Sequence, residues 1–423
     1  MRITLYISRF IKRYRRIFIF LGCLLIFFAG TWAGRSGYVK RITAYIGSYL
    51  SLARHDVTQT VTKGVTHRQI KQGGLCINIL EILPDAPVLI RPYRALDAGI
   101  GTESLVSLAR RHKAVAAVNG GYFEMTGTFQ GESVGALKID GEWVSEPEQE
   151  RAALGLSTAN GQIEAVIDQI ELSVELMAPN GETVAVDGIN RGRIDDELIL
   201  YRPIFHRVTL TEADGIEVVV RSQSVTEIRD GQGSSPIPAD GYVLSANDSK
   251  RDWLRTRISI QDTVTVREIV YPQDIGNQLW WESAEHIISG GPLLVRDGVA
   301  TTAEEQDAEG FDRRFYGWWH PRTAVYIKAD GTFAFVTITA ANPKVRRGMR
   351  LSRLANLLLE WGAKDALNLD GGGSTMMVIN GEIVSTRLPL PPKPKTARGN
   401  RRIRTTPQNF GRPIADAFLI FPR

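Results

Sequence analysis

Cysteine is nearly absent from this chain. Its 423 residues hold two, Cys23 and Cys76, and neither their number nor their setting suggests a metal site, a redox pair or a disulfide framework. Cys23 falls in an apolar run suited to lipid, so a bridge to Cys76 is not expected. Cys76 sits in Leu75-Cys-Ile-Asn-Ile-Leu80 and reads as a small apolar residue of a buried strand. No glycine loop is followed by Gly-Lys-Ser/Thr, so a nucleotide site has no support. Positive charge is also missing where nucleic-acid binding would need it. The formal net charge is +5 from 51 Lys/Arg and 46 Asp/Glu, but residues 1–55 carry ten of those bases and no acid. Residues 56–423 therefore hold 41 bases against 46 acids, a net of −5, with no excess to argue for a nucleic-acid partner.

The basic N-terminus leads into Ile17–Ala33, seventeen uncharged and mostly apolar residues, close to the lower length limit for a spanning helix. The flanking charge predicts residues 1–16 as a cytoplasmic tail, 17–33 as a membrane anchor, and the body outside the cytoplasm. The alternative is a secretory signal peptide cleaved near Thr31-Trp32-Ala33, which would release the body. Residues 34–69 read as a polar linker.

From Gly73 onward, short apolar runs alternate with Asp-Gly or Asn-Gly pairs at 140, 160, 180, 214, 240, 297, 330 and 380. Such pairs between apolar runs are a strong hairpin signal, so the body should be rich in antiparallel strands. Two helices are expected, over Thr102–His112 and Leu351–Trp361, each followed by an apolar strand that carries an Asn near its end. Residues 388–412 are Pro-rich and basic and read as an exposed loop; Ile414–Phe421 reads as a final strand.

Three apolar runs end in paired glycines: Val118-Asn119-Gly120-Gly121, Ile288-Ser289-Gly290-Gly291, and Leu369-Asp370-Gly371-Gly372-Gly373-Ser374-Thr375. A fourth cluster, His320-Pro321-Arg322-Thr323, enters another strand. Together they offer one carboxylate, one guanidinium, one imidazole, hydroxyls, amides and glycine-loop N–H groups, a set suited to an anionic, polyhydroxylated ligand. The plainer alternative for each loop is a local turn in which the Asp or Asn bonds its own backbone.

The strings NGGYF (119–123), SGGPLLVRDG (289–298), HPRTAVYIKADG (320–331) and NLDGGGSTMMVING (368–381), in this order, resemble the phosphodiester glycosidase family. The segment DGINRGRIDDELILYRPIF (187–205) is similar to its longer bacterial members. The resemblance spans roughly residues 70–423 and implies one domain there, with an α+β fold of mixed, largely antiparallel sheet, a few packed helices, and the motif loops gathered at one site. It also implies cleavage of the bond between a sugar C1 and a phosphodiester. His320 departs from the residue often found before Pro-Arg-Thr.

On this reading Asp370 is the acid/base or nucleophilic carboxylate, Arg322 the phosphate clamp, His320 an acid/base or hydrogen-bonding group, and Glu124 a second carboxylate. Asn119, Gly120, Gly121, Gly290, Gly291, Thr323, Gly371, Gly372, Gly373, Ser374 and Thr375 would bind substrate. Trp318 and Trp319 would either stack on a sugar ring or form a half-buried strand end. No cofactor is called for; a divalent cation held by oxygens of Asp370 with Glu124 or Asn119 stays open. The expected partners are a carbohydrate or sugar-phosphate substrate and the membrane, through residues 17–33. Two other functions fit the same residues: a membrane-tethered glycan-binding domain without catalysis, and an enzyme for a plain glycoside or phosphodiester.

Overall fold

The computed structural model describes residues 55–423 apart from 149–150, 312, 342–347 and 386–410. The expected tail, the apolar run 17–33 and most of the Pro-rich stretch lie outside the described residues. Among those described, no helix is long and apolar enough to cross a membrane. Residues 55–423 form one compact unit. It begins within the expected linker, because His55–Thr62 and Val65–Gln72 pair as an antiparallel hairpin.

Among the described residues, eight strands form the largest sheet. In spatial order they are His55–Thr62, Val65–Gln72, Leu75–Ile82, Phe333–Ala340, Arg322–Lys328, Ala363–Leu369, Leu293–Arg296 and Val299–Ala300. The central strand Phe333–Ala340 is buried at every position, the mark of a sheet covered on both faces. Side chains alternate between those faces with the period of a strand. Ile77, Ile79, Ala334, Val336 and Ile338 pack under Leu351, Leu354, Ala355 and Leu358 of the helix Leu351–Glu360. Leu80, Ile82, Phe333, Phe335 and Leu367 face the other way, into a core shared with a five-stranded and a seven-stranded sheet.

The five-stranded sheet inserts Asp416–Pro422 between Val88–Arg94 and Ala116–Asn119, with Met377–Ile379 and Glu382–Ile383 beyond. The seven-stranded sheet carries His286–Ser289 between Ala152–Ala159 and Leu137–Ile139. A further five-stranded sheet around Ile216–Arg221 shares a second core with the seven-stranded sheet, where Ile216, Val218 and Leu244 meet Ala153, Ile170 and Ile287.

Six of the eight turn dipeptides close hairpins as expected, Asp140-Gly141 and Asn160-Gly161 among them with positive φ at both residues. Asp214-Gly215 and Asp240-Gly241 instead lead from loops into strands. The two expected helices are present over Leu105–Arg111 and Leu351–Glu360, the first capped by Ser104 Oγ on the Ser107 N–H at 3.2 Å. Helices such as Asp248–Arg257, Ala303–Ala308 and Arg313–Gly317 were not foreseen. Strand still dominates, so the balance is more β-rich than the α+β expectation. Cys76 is free and buried, as its strand suggested.

The glycine loops do not close hairpins; each passes from one sheet to another. Ser289 to Leu293 joins the seven-stranded sheet to the eight-stranded one, and Leu369 to Met377 joins the eight-stranded sheet to the five-stranded one. The loop after Asn119 leaves that five-stranded sheet for the hairpin of Tyr122–Phe123 with Ser133–Val134. Emptying the core behind them should be costly. Phe335→Ala is expected to lose about 3–5 kcal/mol in denaturant unfolding. Thr60→Ala, on the exposed edge strand, should change stability by no more than about 0.5 kcal/mol.

Candidate active site

A pocket of about 500 Å³ is lined by Phe315, Trp318, His320, Arg322, Asp370, Gly371 and Gly372. Three of the four expected reacting groups therefore meet in one space. Arg322 opens its strand and Asp370 follows the neighbouring one, where Thr323 pairs with Leu369, so the two side chains enter the pocket from adjacent strands.

Arg322 is 1 % exposed. Its Nε donates to Met349 O at 3.0 Å, and its Nη2 to Phe315 O at 2.9 Å and Trp318 O at 3.1 Å. The guanidinium lies over the Phe315 ring, 4.9 Å from the centroid. Nη1 has no hydrogen-bond partner among the described residues, and no carboxylate there pairs with this group. Burial lowers its pKa to about 10, which leaves it cationic at neutral pH. An almost wholly buried cation held by carbonyls alone invites an anion.

Asp370 is 7 % exposed, and burial raises its carboxyl pKa to about 6. The rise is opposed by Arg412, by the Ser374 hydroxyl and by the Gly371 N–H, and is reinforced by the nearby Asp416 charge. Arg412 Nη2 reaches Asp370 Oδ2 at 3.0 Å and Ser374 Oγ at 2.6 Å. His320 has its pKa lowered, by burial first and then by Arg322, so it faces the pocket as a neutral imidazole at pH 7. Its ring lies 5.5 Å from that of Trp318, which is 54 % exposed at the pocket wall.

Several expected substrate contacts turn out to be bracing. The Asn119 amide is buried: its Nδ2 donates to Asp370 O at 2.7 Å, while its Oδ1 accepts from Thr323 Oγ1 at 2.8 Å and Met376 N at 3.1 Å. Neither Asn119 nor Thr323 nor Ser374 has a side-chain group turned to the pocket. Thr375 is buried outside it, with an Oγ1 that has no partner. Glu124 is exposed and does not line the pocket; it accepts from the Thr126 N–H at 3.2 Å.

Five of the glycine N–H groups are likewise taken up inside the protein, while Gly371 N–H is directed at the Asp370 carboxylate. Gly120 N bonds Asp416 O, Gly121 N bonds Asp416 Oδ1, Gly290 N bonds Ala152 O, Gly291 N bonds Asn368 O and Gly372 N bonds Pro321 O. The first two loops therefore offer no cradle of glycine donors, whereas Gly371 and Gly372 of the third line the pocket. The first two supply close approach: a Cβ at Gly120 would collide with the Asp416 carboxylate, and one at Gly290 with the Asn368 carbonyl. Gly372 differs. Its φ is +59° and a Cβ there would meet nothing within 4 Å.

Two groups escaped sequence reasoning. Arg412 stood in a stretch that reads as solvent-exposed. Asn368 holds Tyr122 OH at 3.0 Å and Gly291 O at 2.8 Å, tying the second glycine loop to the first. Among the described residues no cluster of His, Cys, Asp or Glu is suited to a metal ion.

Comparison with known proteins follows the same outline. The family described as phosphodiester glycosidase matches residues 214–421, a range that contains the SGGP, HPRT and DGGGS strings but not NGGYF. An uncharacterized protein of Rickettsia conorii is 24 % identical over 256 residues, 59 % of this chain and 84 % of its own length. Bovine N-acetylglucosamine-1-phosphodiester alpha-N-acetylglucosaminidase is 31 % identical over 99 residues, 23 % of this chain. That match spans 18 % of the bovine enzyme. A Synechocystis protein of known crystal structure superposes with a TM-score of 0.68 at 23 % identity, over 88 % of this chain and 64 % of its own. One from Burkholderia pseudomallei gives 0.66 at 24 %, over 84 % and 74 %. These two structures share the fold.

The glycine assignments can be separated by mutation. Gly120→Ala should lower the melting temperature by several degrees, since backbone and the buried Asp416 must move apart. Gly372→Ala should leave the protein folded with a smaller loss, the cost of a left-handed backbone at a non-glycine residue. Thermal denaturation of both variants checks the order.

Proposed function

We propose, on the match of residues 214–421 to the phosphodiester glycosidase family, that the protein hydrolyses a sugar-1-phosphodiester, freeing the sugar and leaving a phosphomonoester. The observation that carries this reading is the shared pocket of Arg322 and Asp370. One buried guanidinium without a carboxylate partner among the described residues shares the pocket with one buried carboxylate whose pKa lies near 6. The first suits the phosphodiester anion. The second is charged at neutral pH yet basic enough to take a proton or attack C1.

In the reaction, the C1–O bond to phosphorus breaks and its electron pair leaves with the phosphate. Water oxygen ends on C1, directly if Asp370 takes the water proton or after a glycosyl–Asp370 ester if it attacks first. A phosphate needs little protonation to depart, whereas the leaving alcohol of an ordinary glycoside needs a carboxylic acid. Among the described residues, Asp370 is the single carboxylate lining the pocket. That count favours the phosphodiester over a plain glycoside. Neutral His320 can donate a hydrogen bond to the departing oxygen, and Trp318 offers a face for the sugar ring.

The proposed location is outside the cytoplasm, anchored through residues 17–33, with envelope or exported polysaccharide as the substrate source. The basic flank before Ile17 supports it; a reporter fused after Arg423 should be active only on the outer side of the membrane.

Release of free sugar from N-acetylglucosamine-1-phosphate methyl diester is the test. Asp370→Asn should lower kcat on the order of a hundredfold or more, with affinity little changed. Arg322→Lys keeps the charge and loses the planar fork, so KM should rise more than kcat falls. The wild-type kcat/KM should decline as pH drops through about 6, where Asp370 takes up its proton. An Asp370→Asn protein of undiminished turnover would end the proposal.

A further inference from the structure

We infer that Arg412 is a positioning residue of this site: it fixes the orientation and the charged state of Asp370, leaving Arg322 free for the substrate anion. The inference rests on the reading of Asp370 as the reacting carboxylate. One arginine bonds the Asp370 carboxylate and another lines the same pocket, and their partners divide them. Among the described residues Arg322 bonds three main-chain carbonyls and no acid. Arg412 Nη2 bonds Asp370 Oδ2 at 3.0 Å and Oδ1 at 3.3 Å, and Nη2 and Nε both reach Ser374 Oγ, at 2.6 and 3.0 Å.

Arg412 is itself docked on the loop that carries Asp370. Its N–H donates to Gly373 O at 3.0 Å, and its guanidinium lies 5.4 Å from the centroid of the Phe123 ring. A Cβ on Gly373 would stand 3.3 Å from Arg412 Cβ. With Ser374 accepting from Arg412 and donating to Asp370, the three side chains close a triangle that fixes the carboxylate plane. Lysine could replace the charge but not a fork that spans two acceptors.

The other charged or titratable groups facing Asp370 are few. Asp416 opposes its ionisation and is itself paired with Arg94 at 3.3 Å. Tyr122 lies close enough for the Asp370 charge to raise its pKa further, beyond the effect of burial. Arg322 and His320 line the same pocket, the second neutral. Arg412 is thus the cation in hydrogen-bonded contact with the carboxylate.

The test is a pH titration of full-length protein labelled with 13C at the aspartate carboxyls, the Asp370 signal being the one lost in Asp370→Asn. In Arg412→Gln the midpoint should rise from the wild-type value near 6 by about 1–3 units, the usual effect of losing an adjacent opposite charge. In Arg412→Lys the midpoint should rise less, while kcat on the sugar-1-phosphate methyl diester falls about tenfold because the orienting fork is gone. The acid limb of kcat/KM should move with the midpoint in each variant. A folded Arg412→Gln protein with the wild-type midpoint would overturn the inference. If that variant does not fold, Arg412→Lys decides: wild-type kcat and midpoint together would overturn it. Wild-type protein that never turns over the diester would instead sink the proposed reaction, while the carboxyl titration would still judge Arg412.

Discussion

The site depends on one buried amide. Asn119 stands at the end of a strand in the five-stranded sheet, and its side chain bonds the peptide of Asp370, the hydroxyl of Thr323 and the N–H of Met376. Those three partners come from the glycine loop that crosses between sheets and from the strand that starts at Arg322. An amide has both donor and acceptor faces, and burial makes each unmade bond costly. Two sheets are thereby locked in the one arrangement that puts Arg322 beside Asp370. The glycines serve the same end by letting backbones come within a distance that no Cβ allows.

Charge is distributed around that lock so that two arginines do different work. Arg412 lies along the Asp370 carboxylate, and Arg94 holds the buried Asp416. Arg322 has main-chain carbonyls alone among the described residues. In a low-dielectric site an acid and a base placed side by side would pair with one another unless each were already held. Carbonyls hold Arg322 back, and Arg412 with Ser374 holds Asp370.

Much of this was legible in the sequence. Six of the Asn-Gly and Asp-Gly pairs marked hairpins, four of them with positive φ at both residues, a turn that leaves a distinct residue signature. Helical spacing located Leu351–Glu360, and the motif strings brought Asp370, Arg322 and His320 together. The glycines at 120, 121, 290 and 291 were assigned to the ligand because a missing side chain tells only that space is scarce. It does not tell whether a ligand or another strand fills that space, and here Asp416 and Asn368 do. Asn119 and Thr323 were assigned to the substrate for a similar reason, since a polar group near a site looks alike whether it faces inward or outward. Arg412 was hidden by its neighbours: a basic, Pro-rich stretch reads as solvent-facing, and the contact that draws one of its arginines inward spans 42 residues. Glu124 followed a motif closely in sequence yet emerged on the exposed side of its turn.

The strand Asp416–Pro422 lies between Val88–Arg94 and Ala116–Asn119; its Asp416 holds the NGG loop, and Arg412, just before it in the chain, holds the Asp370 loop. Its two neighbours are synthesised long before it. Until it arrives they have open edges facing an empty slot, and closing so long a loop is slow. A nascent chain can therefore assemble most of its sheets while the carboxylate has no fixed direction. The bond between Arg412 and Asp370 can form only once this last stretch of chain is in place, so the carboxylate gains its fixed direction late.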